Sequence, residues 1–252
     1  MSSGAFDGKI ALVTGAGSGI GRACAMLLGA RGAAVIVNDL NAETAQATVE
    51  AIRAAGGRAE VAPANVARRD EVTAAVNAAL AALGGEIIDV LVNNAGVGSR
   101  RMPIEDIDDD ALDRMLGVHV KGAFHCAQIV LAGMKQRKAG KIVNISSAMG
   151  TVGGRSGSHY AAAKGALLGM TRTWARELAK WNIHVNVVAP GGVFTAATAT
   201  IPNYADEART RVPIGRFGQP EEIAALVVFL ASDEASYITG QTVSANGGEF
   251  IH

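Results

Sequence analysis

Strand-like and helix-like runs alternate along the whole chain, and that alternation narrows the possible folds more than any single residue does. Short apolar runs at residues 9–14, 33–38, 58–62, 87–92, 142–145, 184–189 and 242–245 read as strands. Between them, residues 20–31, 42–55, 70–83, 110–137, 160–176 and 220–231 read as helices, the last with Pro220 in its first turn. The segment 110–137 suits one long helix, or two with a break near Gly117 or Gly122. Strands that alternate with helices need crossover connections, which build a parallel sheet covered on both faces. With no linker, internal repeat or low-complexity tract in its 252 residues, the chain is expected to form one α/β domain, doubly wound around about seven parallel strands.

Composition excludes several functions. Lys plus Arg and Asp plus Glu both number 23, so no net charge favours nucleic acid or an anionic membrane. Cys24 and Cys126 belong to no metal-like cluster, so no metal is expected, and so few cysteines fit a reducing compartment. The first residues lack the apolar core of a signal peptide, and apolar runs such as 223–231 are too short to span a bilayer. A soluble cytoplasmic protein is the expectation.

Two stretches carry chemistry. The first strand runs into Thr14-Gly15-Ala16-Gly17-Ser18-Gly19-Ile20-Gly21 at the head of a helix, where glycines let backbone N–H groups approach a pyrophosphate. The second strand ends at Asp39, 18 residues beyond Gly21, where a carboxylate can accept hydrogen bonds from an adenosine ribose. Further on, Ser146 and Ser147 end the apolar run of Ile142, Val143 and Ile145, which Gly140 and Gly150 bound, and Tyr160 and Lys164 lie four apart on one helix face. A lysine cation beside a phenol lowers its pKa and fits it for proton transfer at an alcohol oxygen. Ser146 is expected to be structural, because adjacent strand residues point to opposite faces.

In order and at matching spacing, these motifs resemble the short-chain dehydrogenase/reductase family nearly end to end: Thr14 to Gly21 for its glycine turn, Asn93-Asn94-Ala95-Gly96, Ser147 thirteen residues before Tyr160, Tyr160 with Lys164, and Pro190-Gly191 followed by Thr195. The closing Tyr237 to Gln241 and Asn246-Gly247-Gly248 look most like its 3-oxoacyl-acyl carrier protein reductase branch. The resemblance implies a Rossmann-type domain and a nicotinamide cofactor. It implies Tyr160 as acid or base, Ser147 holding the substrate oxygen, and Lys164 tuning Tyr160 and binding the nicotinamide ribose. Gly15, Ser18, Gly19, Ile20, Gly21, Asp39, Asn65, Val66, Asn93, Ala95, Gly96, Pro190, Gly191, Val193 and Thr195 complete the implied cofactor set. Asn65-Val66 stands where the family often has Asp-Val. Asp39 and an uncharged Ser18 favour NADH over NADPH. His119 departs from the family, which usually has an asparagine there, holding a water in a proton relay with the lysine. His119 is carried as a fourth catalytic candidate whose charge would matter near neutral pH, with the nearby Lys164 cation pushing its pKa down. His125, His159, His184 and His252 are unassigned.

Substrate loops are expected at residues 97–102, 149–158 and 192–213. They offer Met149, Arg155, Phe194 and Tyr204, along with Arg100, Arg101, Arg209 and Arg211, any of which could grip an anionic group. Met149, Arg155 and Phe194 join Ser147 and Tyr160 as substrate contacts. Lys135, Arg137 and Lys138 suit a carrier protein, but Trp181 falls where a further cation would help. The sequence therefore points to a small ketone or secondary alcohol. A 3-oxoacyl-acyl carrier protein or acyl-CoA reductase is the alternative, followed by a cofactor-binding regulator with weakened catalysis. A serine hydrolase is disfavoured, since Ser147 lacks the G-x-S-x-G elbow. The helices at 110–137 and 158–181 carry more apolar positions than one sheet face needs, and the family resemblance implies a homotetramer.

Overall fold

The structure, a computed structural model, describes residues 4–98, 102–199 and 204–251. Seven strands form one parallel sheet in the order β3-β2-β1-β4-β5-β6-β7: β1 Ile10–Thr14, β2 Ala34–Asp39, β3 Arg58–Pro63, β4 Val90–Asn93, β5 Gly140–Ile145, β6 Ile183–Val188 and β7 Thr242–Val243. Alternate strand residues separate into two buried cores, as the pleat demands. Val13, Val37, Val92 and Val143 face α1 (Gly19–Ala30), α2 (Ala42–Ala54) and, near the C-terminus, the helix Pro220–Ala231. Leu12, Ile36, Leu91 and Ile142 face α3 (Arg69–Ala82) and two later helices, Gly122–Arg137 and Ser158–Leu178. The order reverses at β1, which has β2 on one side and β4 on the other. Ligands of doubly wound sheets bind at the carboxyl ends of the strands beside such a switch point.

The expected 110–137 helix neither breaks nor runs straight. Asp108 caps α4 (Asp109–Leu116), accepting from Ala111 N at 2.7 Å. A single π-helical turn, Gly117–Lys121, then joins it to α5 (Gly122–Arg137). Such a turn admits one extra residue without ending the helix. The whole 29-residue helix Asp109–Arg137 is long and apolar enough by length and composition to cross a membrane, contrary to the reading of short apolar runs. Here Ala123, Ala127, Val130 and Met134 lay it on the sheet as a core helix.

Loops expected to be irregular also carry helices. Ser147 opens α6 (Ala148–Val152), its hydroxyl accepting from Met149 N at 3.2 Å. It is followed by α7 (Ser158–Leu178). After β6 come α8 (Ala196–Ala199) and α9 (Tyr204–Arg211), and then α10 (Pro220–Ala231). Arg100 and Arg101 lie outside the described residues, as do the side chains of Tyr204 and Arg209.

Candidate active site

A cavity of about 540 Å³ opens at the carboxyl ends of the strands, beside the switch point. The turn after β1 forms its floor. Gly15 and Gly19 have φ of +62° and +53°, a backbone that side chains resist. A Cβ on Gly21 would fall 2.1 Å from the Gly15 carbonyl oxygen, so only glycine lets α1 start this close to the turn. The turn is locked to the loop after β4. Thr14 Oγ1 accepts from Asn94 N and Ala95 N, both at 3.0 Å, while Asn94 Nδ2 donates to Thr14 O and Gly15 O at 2.9 and 3.0 Å. At the end of β2, the two Asp39 oxygens accept from Gly17 N (2.9 Å) and Asn41 N (3.0 Å), fixing a carboxylate at the cavity edge.

The opposite wall is built from β5, α6 and α7. The Ser146 hydroxyl donates to Lys164 O at 2.7 Å and binds α7 to the strand end, and Ser146 lines the cavity beside Ser147 rather than facing away from it. Lys164, buried at the cavity wall, donates from Nζ to Ile145 O at 2.7 Å. Burial pushes its pKa down to about 7. The expectation that Lys164 lowers the Tyr160 pKa is not met. Burial holds the phenol above its usual value, and the hydrogen bond with Ser147 only partly opposes that. The physical reason is that Lys164 is itself desolvated, aims its ammonium at a carbonyl, and lies 5.7 Å from the Tyr160 ring centre.

His119, in the π turn, is 3 % exposed and meets the Tyr160 ring edge-on, with 5.6 Å between centroids. Its Nε2 lies 3.2 Å from Val97 N and 3.1 Å from Val97 O. Its Nδ1 is buried with no partner among the described residues. Burial, then the Lys164 charge, push its pKa down to about 3. Both effects favour the neutral ring, and the downward push from Lys164 is in the direction expected from the sequence. Gly96 makes room for it, since a Cβ there would fall 2.4 Å from the imidazole Cε1.

Of the sequence candidates, Gly15, Ser18, Gly19, Ile20, Asp39, Asn65, Val66, Ala95, Gly96, His119, Ser147, Tyr160, Lys164, Pro190, Gly191, Val193 and Thr195 all line this one cavity. Gly21 and Asn93 do not. Gly21 sits beneath the turn, and Asn93 points into the core, where it donates to Asn144, which in turn donates to Thr171, both at 2.9 Å. Met149, Arg155 and Phe194 stand outside the lining. Sequence reasoning missed Asn38, whose amide donates to Ala62 O (2.8 Å) and Ala64 O (3.2 Å). It also left His125 unassigned, although its Nδ1 holds the Val66 carbonyl at 2.8 Å. Asn94 was legible as the second asparagine of its motif.

These residues fit a dinucleotide. A glycine turn at a helix start suits a pyrophosphate, the fixed Asp39 carboxylate suits a ribose diol, and Ser147, Tyr160 and Lys164 gather at the other end.

Known proteins agree with this geometry. A family model described as Enoyl-(Acyl carrier protein) reductase matches residues 15–249. The 3-oxoacyl-[acyl-carrier-protein] reductase FabG of Thermotoga maritima is 42% identical over 247 residues, covering 98% of this chain and 99% of that one. The cis-4-hydroxycyclohexanecarboxylate dehydrogenase of Sinomonas cyclohexanicum is 41% identical over 97% of both chains. A crystal structure of a 3-oxoacyl-[acyl-carrier protein] reductase with bound NAD, from Brucella melitensis, superposes with a TM-score of 0.90 at 34% identity, covering 98% of this chain and 93% of that one.

Proposed function

The chain belongs to the short-chain dehydrogenase/reductase family of oxidoreductases, and from that premise we propose that it is an NADH-dependent reductase of 3-oxoacyl thioesters, acting on substrates carried by acyl carrier protein. The observation that carries the reading is the meeting of Ser147, Tyr160 and Lys164 in one cavity with the glycine turn and Asp39. The identity of the substrate is supported by likeness to relatives of that name over nearly the whole chain. It takes up the alternative that the sequence offered beside the coarser reading of a small ketone or secondary alcohol.

When bound, the nicotinamide supplies the hydride. Ser147 holds the carbonyl oxygen, and Tyr160 gives it the phenolic proton as the alkoxide forms. A phenol held above its usual pKa is protonated at neutral pH, as reduction requires. Lys164, poised at about 7, supplies positive charge beside the developing oxyanion and holds the nicotinamide ribose. The Asp39 carboxylate repels a 2′-phosphate, so NADH is favoured.

The carrier would dock on the basic ends of α5 and the segment after α7. There Lys135 and Lys180 lie 4.4 and 4.2 Å from the Trp181 ring centre, so the tryptophan gathers cations rather than displacing them. These ends lie at the amino edge of the sheet, away from the cavity mouth, so a carrier docked there would serve the cavity of a neighbouring subunit in a homotetramer. In this reading the segment 192–213 is the substrate cap, since Val193, Thr195 and Thr198 of it line the cavity. The second reading, oxidation of a small cyclic hydroxy acid, is favoured by the hydroxycyclohexanecarboxylate dehydrogenase, which is 41% identical.

The test is NADH absorbance with acetoacetyl-acyl carrier protein, acetoacetyl-CoA and 4-oxocyclohexanecarboxylate. The carrier-bound thioester is expected to give the highest kcat/KM, and NADPH to be poorer than NADH by about tenfold or more. Tyr160→Phe is expected to cut kcat by about 10²–10⁴-fold while NADH fluorescence titration stays unchanged. Preference for the cyclic keto acid selects the second reading, and full activity in the phenylalanine variant overturns the acid role.

A further inference from the structure

The reductase reading leaves one enclosed carboxylate without a task. After β7 the chain folds into a hook closed by Asn246, which donates to Ser244 Oγ (2.9 Å) and Phe250 O (2.7 Å) and accepts from Gly248 N (2.9 Å). One side of the hook packs by backbone against the end of α9. A Cβ on Gly247 would fall 2.6 Å from Val212, one on Gly248 3.2 Å from Pro213, and Ile214 N donates to Gly247 O at 3.3 Å. The other side holds the cavity wall, where Gly191 N donates to Ala245 O at 3.1 Å.

Glu249 sits at the tip and faces both sides. Its Oε1 accepts from Arg211, the last residue of α9, at Nε (3.1 Å) and Nη2 (2.6 Å). Its Oε2 stands 3.3 Å from the place of a Cβ on Gly191. The Glu249 side chain is only 5% exposed, against 46% for Arg211. A carboxylate so enclosed gains little net stability from pairing, and an apolar side chain would pack there at lower desolvation cost. What the charge adds is a directional hold on one arginine.

We propose that Glu249 is a positioning residue that ties the cap helix α9 to the Pro190-Gly191 wall, so that filling the cofactor cavity steadies the helix over the substrate. Anything that seats against Gly191 steadies the hook, and the hook steadies α9 through Arg211. This coupling rests on the reading of residues 192–213 as the substrate cap, and it predicts that NADH tightens substrate binding through Glu249.

Hydrogen exchange of the amides in 204–211, with and without NADH, tests the coupling in the intact protein. In the wild type NADH should slow that exchange. In Glu249→Ala exchange should rise by about tenfold and lose its response to NADH, within the usual range of coupling between sites. KM for the oxo substrate should rise by a similar factor, with kcat little changed. Glu249→Gln keeps the volume and one acceptor, guards against a folding defect, and should fall between. The reversal Arg211→Glu with Glu249→Arg should recover much of the NADH response. Unchanged exchange and an unchanged NADH response in both single variants would overturn the proposal. If no oxo substrate turns over, the reductase reading fails while the exchange measurement still decides the role of Glu249.

Discussion

His119 shows how one ring can be held neutral by its surroundings and still serve the site. A side-chain amide there could offer one atom to Val97 N and another to Val97 O. The imidazole brings a single Nε2 to both and satisfies one of them. The cost of charging it is a stability statement. With a folded pKa near 3 and an unfolded value near 6.5, the unfolded chain binds the extra proton between those limits. Stability therefore falls as pH drops from 6.5 towards 3. His119→Asn removes that contribution, so in chemical denaturation at stepped pH the wild type should lose about 3–4 kcal/mol relative to the variant by pH 3. Parallel curves would mean that the ring is charged when folded. Lys164 gives the same sign in a higher pH window. Its folded pKa near 7 lies below the usual lysine value, so its desolvation cost is fully present below pH 7 and fades as pH rises towards 10.5.

At the scale of elements, the site depends on how closely α6 crosses α7. A Cβ on Gly150 would fall 2.7 Å from the Lys164 carbonyl carbon and 2.9 Å from Gly165 N, both backbone atoms that cannot swing aside. Gly150→Ala should therefore push Ser147 away from Tyr160, costing about 1–3 kcal/mol of stability and lowering kcat/KM about 10²-fold. Thermal unfolding and steady-state kinetics together check this, and a variant equal to the wild type in both would show that the contact yields freely. The same elements show what a sequence can disclose. The strands were legible because both sheet faces are buried, which leaves unbroken apolar runs such as Val35-Ile36-Val37. Ser147, Tyr160 and Lys164 were legible because strand end and helix face set their spacing. The helices α8 and α9 were not, because the segment lacks apolar periodicity and holds its shape through contacts such as Thr198 Oγ1 to Val193 O and Arg211 to Glu249. Gly117 and Gly122 flagged an irregularity in the long helix without showing that it is a π turn that brings His119 inward. The tyrosine pKa was misread because burial of a neighbouring charge depends on packing that no local spacing encodes.

Among the described residues, α5 leaves Phe124 as apolar surface beside α7 after the sheet is covered. Phe124 is 39% exposed and lies edge-on against Trp174, with centroids 5.1 Å apart. Pairing of these helices between subunits should make the protein a tetramer by light scattering at micromolar concentration, and Phe124→Glu should shift it towards smaller species. A monomeric wild type would defeat the idea. The parallel order of the sheet has a consequence for synthesis. The Thr14–Asn94 contact that locks the switch point spans 80 residues. While the ribosome works through that interval, β1 can find β2 but keeps its other edge bare. The stretch of the newborn chain most in need of shelter is thus the interior strand at which the sheet order reverses, and it stays open until β4 arrives.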